Sequence, residues 1–425
     1  MLERKIAPPI KDAVEYELKL KPYQLHKLSN GVSLYALNMG AEDVLMLEFV
    51  FYAGNCFESA NLVAATTNYL LKNGTSSKTA FQVNEYFEYH GAYLSRASQH
   101  ETATITLHCL SKHLSKLLPV IREIITDSVF PEEELDIFKQ NSRQRLSVSL
   151  KKCDFVGNRL IDSYVYGAQH PYGRFGIAED YDALQRQQLM DFYDERYRKG
   201  ACIMFAAGKL PADFEKQVNE YFGDLNLNGN PASYLNVPQP SQEKKVRLSN
   251  DPNGVQGAIR MGREFHNRHH PDFQKVLVLN NIFGGFFGSR LMANIREEKG
   301  YTYGIHSFIE NHIQSSAWMV STEAGKDVCE ETIVEVYKEM QLLRDEEVDA
   351  EELSLVKNYM MGTNLGDLDG PFHVIARWKT LILNNLDAAY FDESMNTIRN
   401  ITAKELQELA NKYLAPEEFF ELVVI

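Results

Sequence analysis

The chain has 425 residues, 44% of them hydrophobic and 11% aromatic, enough to bury a large core; this excludes a short disulfide-stapled module, a disordered tail and a fibrous repeat. At roughly 150 residues per domain, that length predicts two or three folding units. Forty-four basic against 58 acidic residues leave a net charge of −14, which argues against a phosphate-binding groove, since such grooves need clustered Lys and Arg. No stretch approaches the apolar length of a membrane span. Met1 to Pro22 mixes Lys, Glu and Asp with short apolar pieces, unlike a signal or transit peptide. The five cysteines (Cys56, Cys109, Cys153, Cys202, Cys329) are scattered, odd in number and never paired as CxxC, which fits a reducing compartment. The expectation is a soluble cytoplasmic protein with neither nucleic acid nor membrane as partner.

After Asn30-Gly31, the runs Val32 to Asn38 and Val44 to Ala53 are rich in β-branched and aromatic residues and predict two strands. A helix is predicted near Ala60 to Lys72, followed by the turn Asn73-Gly74-Thr75 and a second helix from Thr79 to His90, stopped by Gly91. Tyr93 to Ser98 and Thr102 to Leu110 predict paired strands around a polar turn. Lys112 to Thr126 and Pro131 to Leu150 predict helices, the second opening with Pro131 and three glutamates that suit a helix amino terminus. Strands, helices, strands, helices in that order predict an α+β fold, a mostly antiparallel sheet with helices covering one face.

Leu225 to Gln242 turns to Asn, Gly, Pro and Ser and reads as a linker, dividing the chain into domains at 1–225 and 243–425 with 226–242 between them. The halves echo one another. Phe130-Pro-Glu-Glu-Glu-Leu135 recurs as Val348-Asp-Ala-Glu-Glu-Leu353, an offset of 218 residues. The helical stretch Leu184 to Tyr197 and the apolar run Ala201 to Ala207 recur as Ile401 to Tyr413 and Phe419 to Ile425, an offset of 217 for the helices. Two distant matches at nearly one offset predict two tandem homologous domains.

The local motifs are sparse: no P-loop, no Gly-x-Gly-x-x-Gly opening a helix, no Gly-x-Ser-x-Gly and no His-Glu-x-x-His. Glu264, His266, His269 and His270 are the one crowd of metal-ligand types, in a polar stretch before Pro271 that reads ordinarily as a solvated loop.

The run from Asn281 through Gly284-Gly285-Phe-Phe-Gly288, Arg296 and Gly300-Tyr-Thr-Tyr303-Gly304 is longer and more specific. It resembles the carboxy-terminal domain signature of the pitrilysin and mitochondrial processing peptidase family, zinc peptidases with an inverted His-x-x-Glu-His motif. In the first half Gly54 with Glu58, Gly74-Thr75, Gly91-Ala-Tyr-Leu, Glu101-Thr102, Phe130-Pro-Glu-Glu-Glu and His170-Pro-Tyr-Gly173 follow the family's order. The likeness spans nearly the whole chain and implies one half of a clamshell-like peptidase chamber. Counting back from Gly74 places the zinc motif on Ala65-Thr66-Thr67-Asn68-Tyr69, so that Ala65, Asn68 and Tyr69 stand for the first histidine, the glutamate and the second histidine. Alanine offers no lone pair, an amide is a poor general base and a phenol is not the neutral imidazole that zinc prefers. The third ligand, a glutamate, should fall near Asn141 to Leu146, where there is no carboxylate.

The resemblance therefore implies a chain that holds no metal itself. It also implies an Arg and a Tyr that reach the substrate across the chamber, matched here by Arg296 and Tyr303, donors suited to the oxyanion of peptide hydrolysis. The three glycines Gly284, Gly285 and Gly288 either admit a close backbone approach or shape a turn, and strand Tyr93 to Ser98 corresponds to the edge on which catalytic relatives lay the substrate. The expected role is a non-catalytic subunit of a heterodimeric zinc endopeptidase, inactive alone, acting in trans on unfolded peptides beside a homologous His-x-x-Glu-His chain that carries the zinc; self-association without that partner stays open. The alternative is a purely structural subunit of the same fold, like the core subunits of the cytochrome bc1 complex.

Overall fold

The computed structural model describes residues 11–231 and 237–425; the beginning of the Met1 to Pro22 stretch and residues 232–236 of the predicted linker lie outside the described residues. Two compact units emerge. One comprises Pro22–Glu243 with Gly370–Lys379, the other Lys244–Asp369 and Thr380–Ile425 with the described part of Met1–Lys21.

The first unit holds a six-stranded sheet built from β1 (Gln24–Lys27), β2 (Ser33–Asn38), β3 (Val44–Phe51), β4 (Tyr93–Ser98), β5 (Ala103–Leu110) and β6 (Cys202–Gly208), in the order β1-β2-β6-β3-β5-β4. Only β2 and β6 run parallel; every other neighbouring pair is antiparallel. The parallel pair arises because β6 is reached through a succession of helices, a crossover long enough to bring the chain back in the same direction. On β3, Leu45, Leu47, Phe49 and Phe51 share a core with Val63 and Leu70, Val83 and Phe87, Ile121 and Ile124, and Leu189 and Phe192, which all lie on helices. Each such large apolar side chain contributes about 1.5–3 kcal/mol by leaving water.

The opposite face of β3 is buried as well. Glu48 lies there, and its carboxylate is 2.8 Å from Nζ of Lys379, on the helix Pro371–Leu383. Phe372 of that helix meets His108 edge-on, with ring centres 5.7 Å apart. The main helical layer thus covers one face, as expected, and a segment remote in sequence caps part of the other.

The second unit repeats the plan. Strands β7 (Lys245–Leu248), β8 (Gln256–Phe265), β9 (Thr302–Asn311), β10 (Ser316–Gly325) and β11 (Phe420–Val424) lie in the order β7-β11-β8-β10-β9. Again one pair, β7 with β11, is parallel. Without β1 the two sheets have the same topology. The echoed hexapeptides mark the same event twice: Pro131 precedes helix Glu132–Ser149, and Asp349 precedes helix Ala350–Gly366, its carboxylate accepting from the N–H groups of Glu351 at 2.9 Å and Glu352 at 2.8 Å. No helix among the described residues is long and apolar enough to cross a membrane.

Some of the family-ordered residues of the first half, Glu58, Glu101, Pro171 and Tyr172, are tied together by a set of hydrogen bonds and an ion pair. Oε1 of Glu58 is 3.0 Å from Nη2 of Arg174, and its other oxygen accepts from the N–H of Ala64 at 2.8 Å, tying down the start of helix Val63–Leu70. Tyr172 donates to Glu101, and Asn55 to the carbonyl of Pro171. Burial raises the Glu58 pKa from 4.5 to about 7 against the opposing pull of Ala64 and Arg174. A carboxyl whose folded pKa lies above its unfolded value stabilises the protein fully below the unfolded pKa and loses that contribution as pH rises to the folded value. Stability should therefore fall between about pH 4.5 and about pH 7 through this group, and Glu58→Gln should flatten the fall. Urea midpoints measured at the two pH values for both proteins check this.

Candidate functional site

Helix Val63–Leu70 carries the three positions that correspond to the zinc motif. Ala65 and Tyr69, four residues apart, share its exposed face, while Asn68 points inward and is 3% exposed. The Asn68 amide donates to the hydroxyl of Tyr197 at 3.1 Å and to the carbonyl of Thr104, on β5, at 3.3 Å. Tyr197 is fully buried, which pushes its phenol pKa well above the ordinary range and leaves it neutral. One-turn spacing therefore persists on the surface, with an alanine that has no donor atom and a phenol in place of imidazoles. In the third-ligand window of helix Glu132–Ser149, Ser142 and Leu146 are the buried residues and no carboxylate is present. This donor set does not fit zinc, and no group of three or more His, Cys, Asp or Glu among the described residues is arranged to hold a metal ion.

The histidine crowd is a turn. His266 and His270 stack ring on ring, 4.0 Å apart and 7° from parallel, and Nδ1 of His270 accepts from the N–H of Asp272 at 3.1 Å. Glu264 is engaged elsewhere, 3.3 Å from the Ser315 hydroxyl, and the N–H of His269 is turned to the Asn267 side chain.

In the second unit Arg296 lies on a π-helical turn, Met292–Glu298, a wide turn that commonly marks functional sites. Its guanidinium sits over the exposed ring of Phe287, 4.5 Å from the ring centre, and 3.0 Å from the carboxylate of Glu297, without the alignment of a hydrogen bond. Gly300, at φ +68°, closes the turn in a left-handed conformation that favours glycine and lets the chain reverse into β9.

Tyr303 is 90% exposed. Strict alternation along β9 would place it on the buried face with Ile305 and Ser307. A bulge prevents this: Ala324 pairs with Thr302 but Thr322 with Ile305, so Tyr303 and Gly304 together oppose Glu323 alone. Two threonines pin the bulge. The Thr302 hydroxyl donates to the Glu323 carbonyl at 2.6 Å and accepts from the Gly304 N–H at 3.1 Å, while the Thr322 hydroxyl donates to the Gly304 carbonyl at 2.9 Å. Arg296 and Tyr303 thus stand on consecutive elements, and Arg296 contacts Phe287 and Glu297 rather than Tyr303.

The glycines of the signature serve internal packing. A Cβ on Gly284 would come within 2.7 Å of Ser307 Cβ on β9, and one on Gly288 within 2.7 Å of the Phe286 ring. Strand β4 is the end strand of its sheet and pairs only with β5.

Residues 48–167 match the family described as Insulinase (Peptidase family M16), and residues 183–360 match the Peptidase M16 inactive domain. The uncharacterized zinc protease YmxG of Bacillus subtilis (strain 168) is 22% identical over 367 residues, 85% of this chain and 88% of that one. The probable mitochondrial-processing peptidase subunit beta of Schizosaccharomyces pombe is 23% identical over 245 residues, 55% of this chain and 52% of that one. The crystal structure of a peptidase M16 inactive domain from Pseudomonas fluorescens superposes with a TM-score of 0.84 at 21% identity, covering 95% of this chain and 98% of that one. With both halves matched in order and the two-sheet architecture shared, the chain belongs to peptidase family M16, the pitrilysin-like peptidases.

Removing the Asn68 amide leaves the buried Tyr197 hydroxyl without its donor, so Asn68→Ala should cost about 1–3 kcal/mol in urea unfolding. Tyr303→Phe, at an exposed side chain, should stay within about 0.5 kcal/mol of the wild type in the same measurement.

Proposed function

We propose that this chain is the non-catalytic subunit of a heterodimeric zinc endopeptidase, contributing Arg296 and Tyr303 in trans to peptides bound by a homologous chain that carries the intact His-x-x-Glu-His motif. The observation that carries the reading is a contrast within one polypeptide. The metal positions bear Ala65, Asn68 and Tyr69, yet Tyr303 is turned outward by a bulge secured by two threonine hydroxyls. Tyr303, 90% exposed, is thereby held where its hydroxyl is open to a bound peptide.

In that complex the metal chemistry belongs to the partner. The residues of this chain bind and orient: the Tyr303 hydroxyl donates one hydrogen bond, and the Arg296 guanidinium, already desolvated on one face by Phe287, offers a fixed positive charge to substrate carbonyls or to the oxyanion that forms from one of them. Unfolded peptides are the substrate class. Family relatives described as zinc proteases, and one as a subunit of a processing peptidase, support the reading.

The test is a mixed complex reconstituted with a sister chain that has the complete motif. Arg296→Ala or Tyr303→Phe should lower kcat on an unstructured peptide by about 100-fold, the scale of losing one transition-state donor, while sedimentation shows unchanged assembly. Full activity in both variants would refute the trans role and leave the purely architectural reading in its place.

A further inference from the structure

The degenerate metal face is occupied by cations. Arg96, on β4, donates through Nη1 to the carbonyl of Tyr69, and its guanidinium carbon lies 5.3 Å from the centre of the Tyr69 ring. Its Nε is out of solvent and has no hydrogen-bond partner among the described residues. A guanidinium has five N–H donors, and here a single carbonyl takes one of them. Lys72, just past the end of the same helix, is half-buried, and its pKa is lowered by burial and then by the charge of Arg96, with only a partial offset from Glu88. Burial likewise lowers Arg96 to about 10, and the groups that oppose this are the tyrosines Tyr69, Tyr93 and Tyr197. Among the described residues no carboxylate forms an ion pair with either cation.

Two partly desolvated cations without a counter-ion cost folding free energy, so the fold bears a cost here that a metal-free, purely structural surface would not require. Tyr69, 45% exposed, leaves the place open to a ligand. A planar guanidinium with free donors, backed by an aromatic face and a second positive charge, matches a carboxylate in shape and charge.

We propose that the residues standing where relatives hold zinc form a carboxylate-binding subsite, in which Arg96 and Lys72 receive an anionic group of a bound peptide: its chain terminus or an acidic side chain. The subsite goes beyond the trans role of Arg296 and Tyr303, and it is tested on the purified chain without a partner, so either reading can fail alone.

Fluorescence anisotropy at low salt, with three labelled forms of one unstructured peptide, tests it: a free carboxyl terminus, an amidated terminus, and an amidated form with one internal Glu. At least one carboxylate-bearing form should bind about tenfold tighter than the neutral form, and Arg96→Gln should abolish that preference. Which form gains identifies the source of the carboxylate. Arg96→Lys, which keeps the charge but loses the fork, should retain part of the preference, and the melting temperature of Arg96→Gln should not fall. The proposal is overturned if the three peptides bind alike, if none binds, or if the preference survives in Arg96→Gln.

Discussion

The side chain of Asn68 is sealed between the carbonyl of Thr104 and the hydroxyl of Tyr197, and these two hydrogen bonds seat helix Val63–Leu70 against β5 and the helical turn Asp194–Arg198. A neutral amide suits that place because its N–H donors meet two neutral oxygens. A carboxylate there would set its charge against the Thr104 carbonyl oxygen, out of water. The surface face of the helix follows from this seating, since fixing Asn68 inward turns Ala65 and Tyr69 outward at one-turn spacing. The face keeps one-turn periodicity and bears an alanine and a tyrosine.

Duplication gives the chain two units built on one plan. Each unit has the same strand order with one parallel pair, closed by a strand that arrives after the helices: β6 in the first and β11 in the second. The units differ in small local devices: a hydrogen-bonded amide and a pair of partly buried cations in the first, a π-helical turn and a bulge in the second.

Much of this was legible in the sequence because the signals are local. Thr79 heads its helix as a capping residue, its hydroxyl accepting from the Gln82 N–H at 3.3 Å, and Gly91 follows its end with φ +58°. The strand pair around residues 98–103 and the repeated helix starts at Pro131 and Asp349 were equally readable. Strand β1 was not, because it is an exposed end strand with no buried face and so no alternation. Helix Cys153–Tyr166, which contains Gly157, gave no clear start signal. Phe214, Val218 and Phe222 do have the spacing of a buried helical stripe, and attention to that period would have found helix Phe214–Phe222.

The candidate site divides the same way. The identities at 65, 68 and 69 and the pair Arg296 and Tyr303 could be placed by motif, but the outward turn of Tyr303 depends on how β9 registers against β10, a non-local fact. The stacking of Arg96 on Tyr69 is also non-local, joining a strand to a helix 27 residues earlier. The central claim is that this family member has exchanged metal binding for the recognition of a peptide. Elemental analysis of the purified chain after dialysis against zinc-containing buffer tests it most directly: the account predicts zinc far below one ion per chain, and one tightly held ion per chain, lost when Tyr69 or Asn68 is replaced, would contradict it.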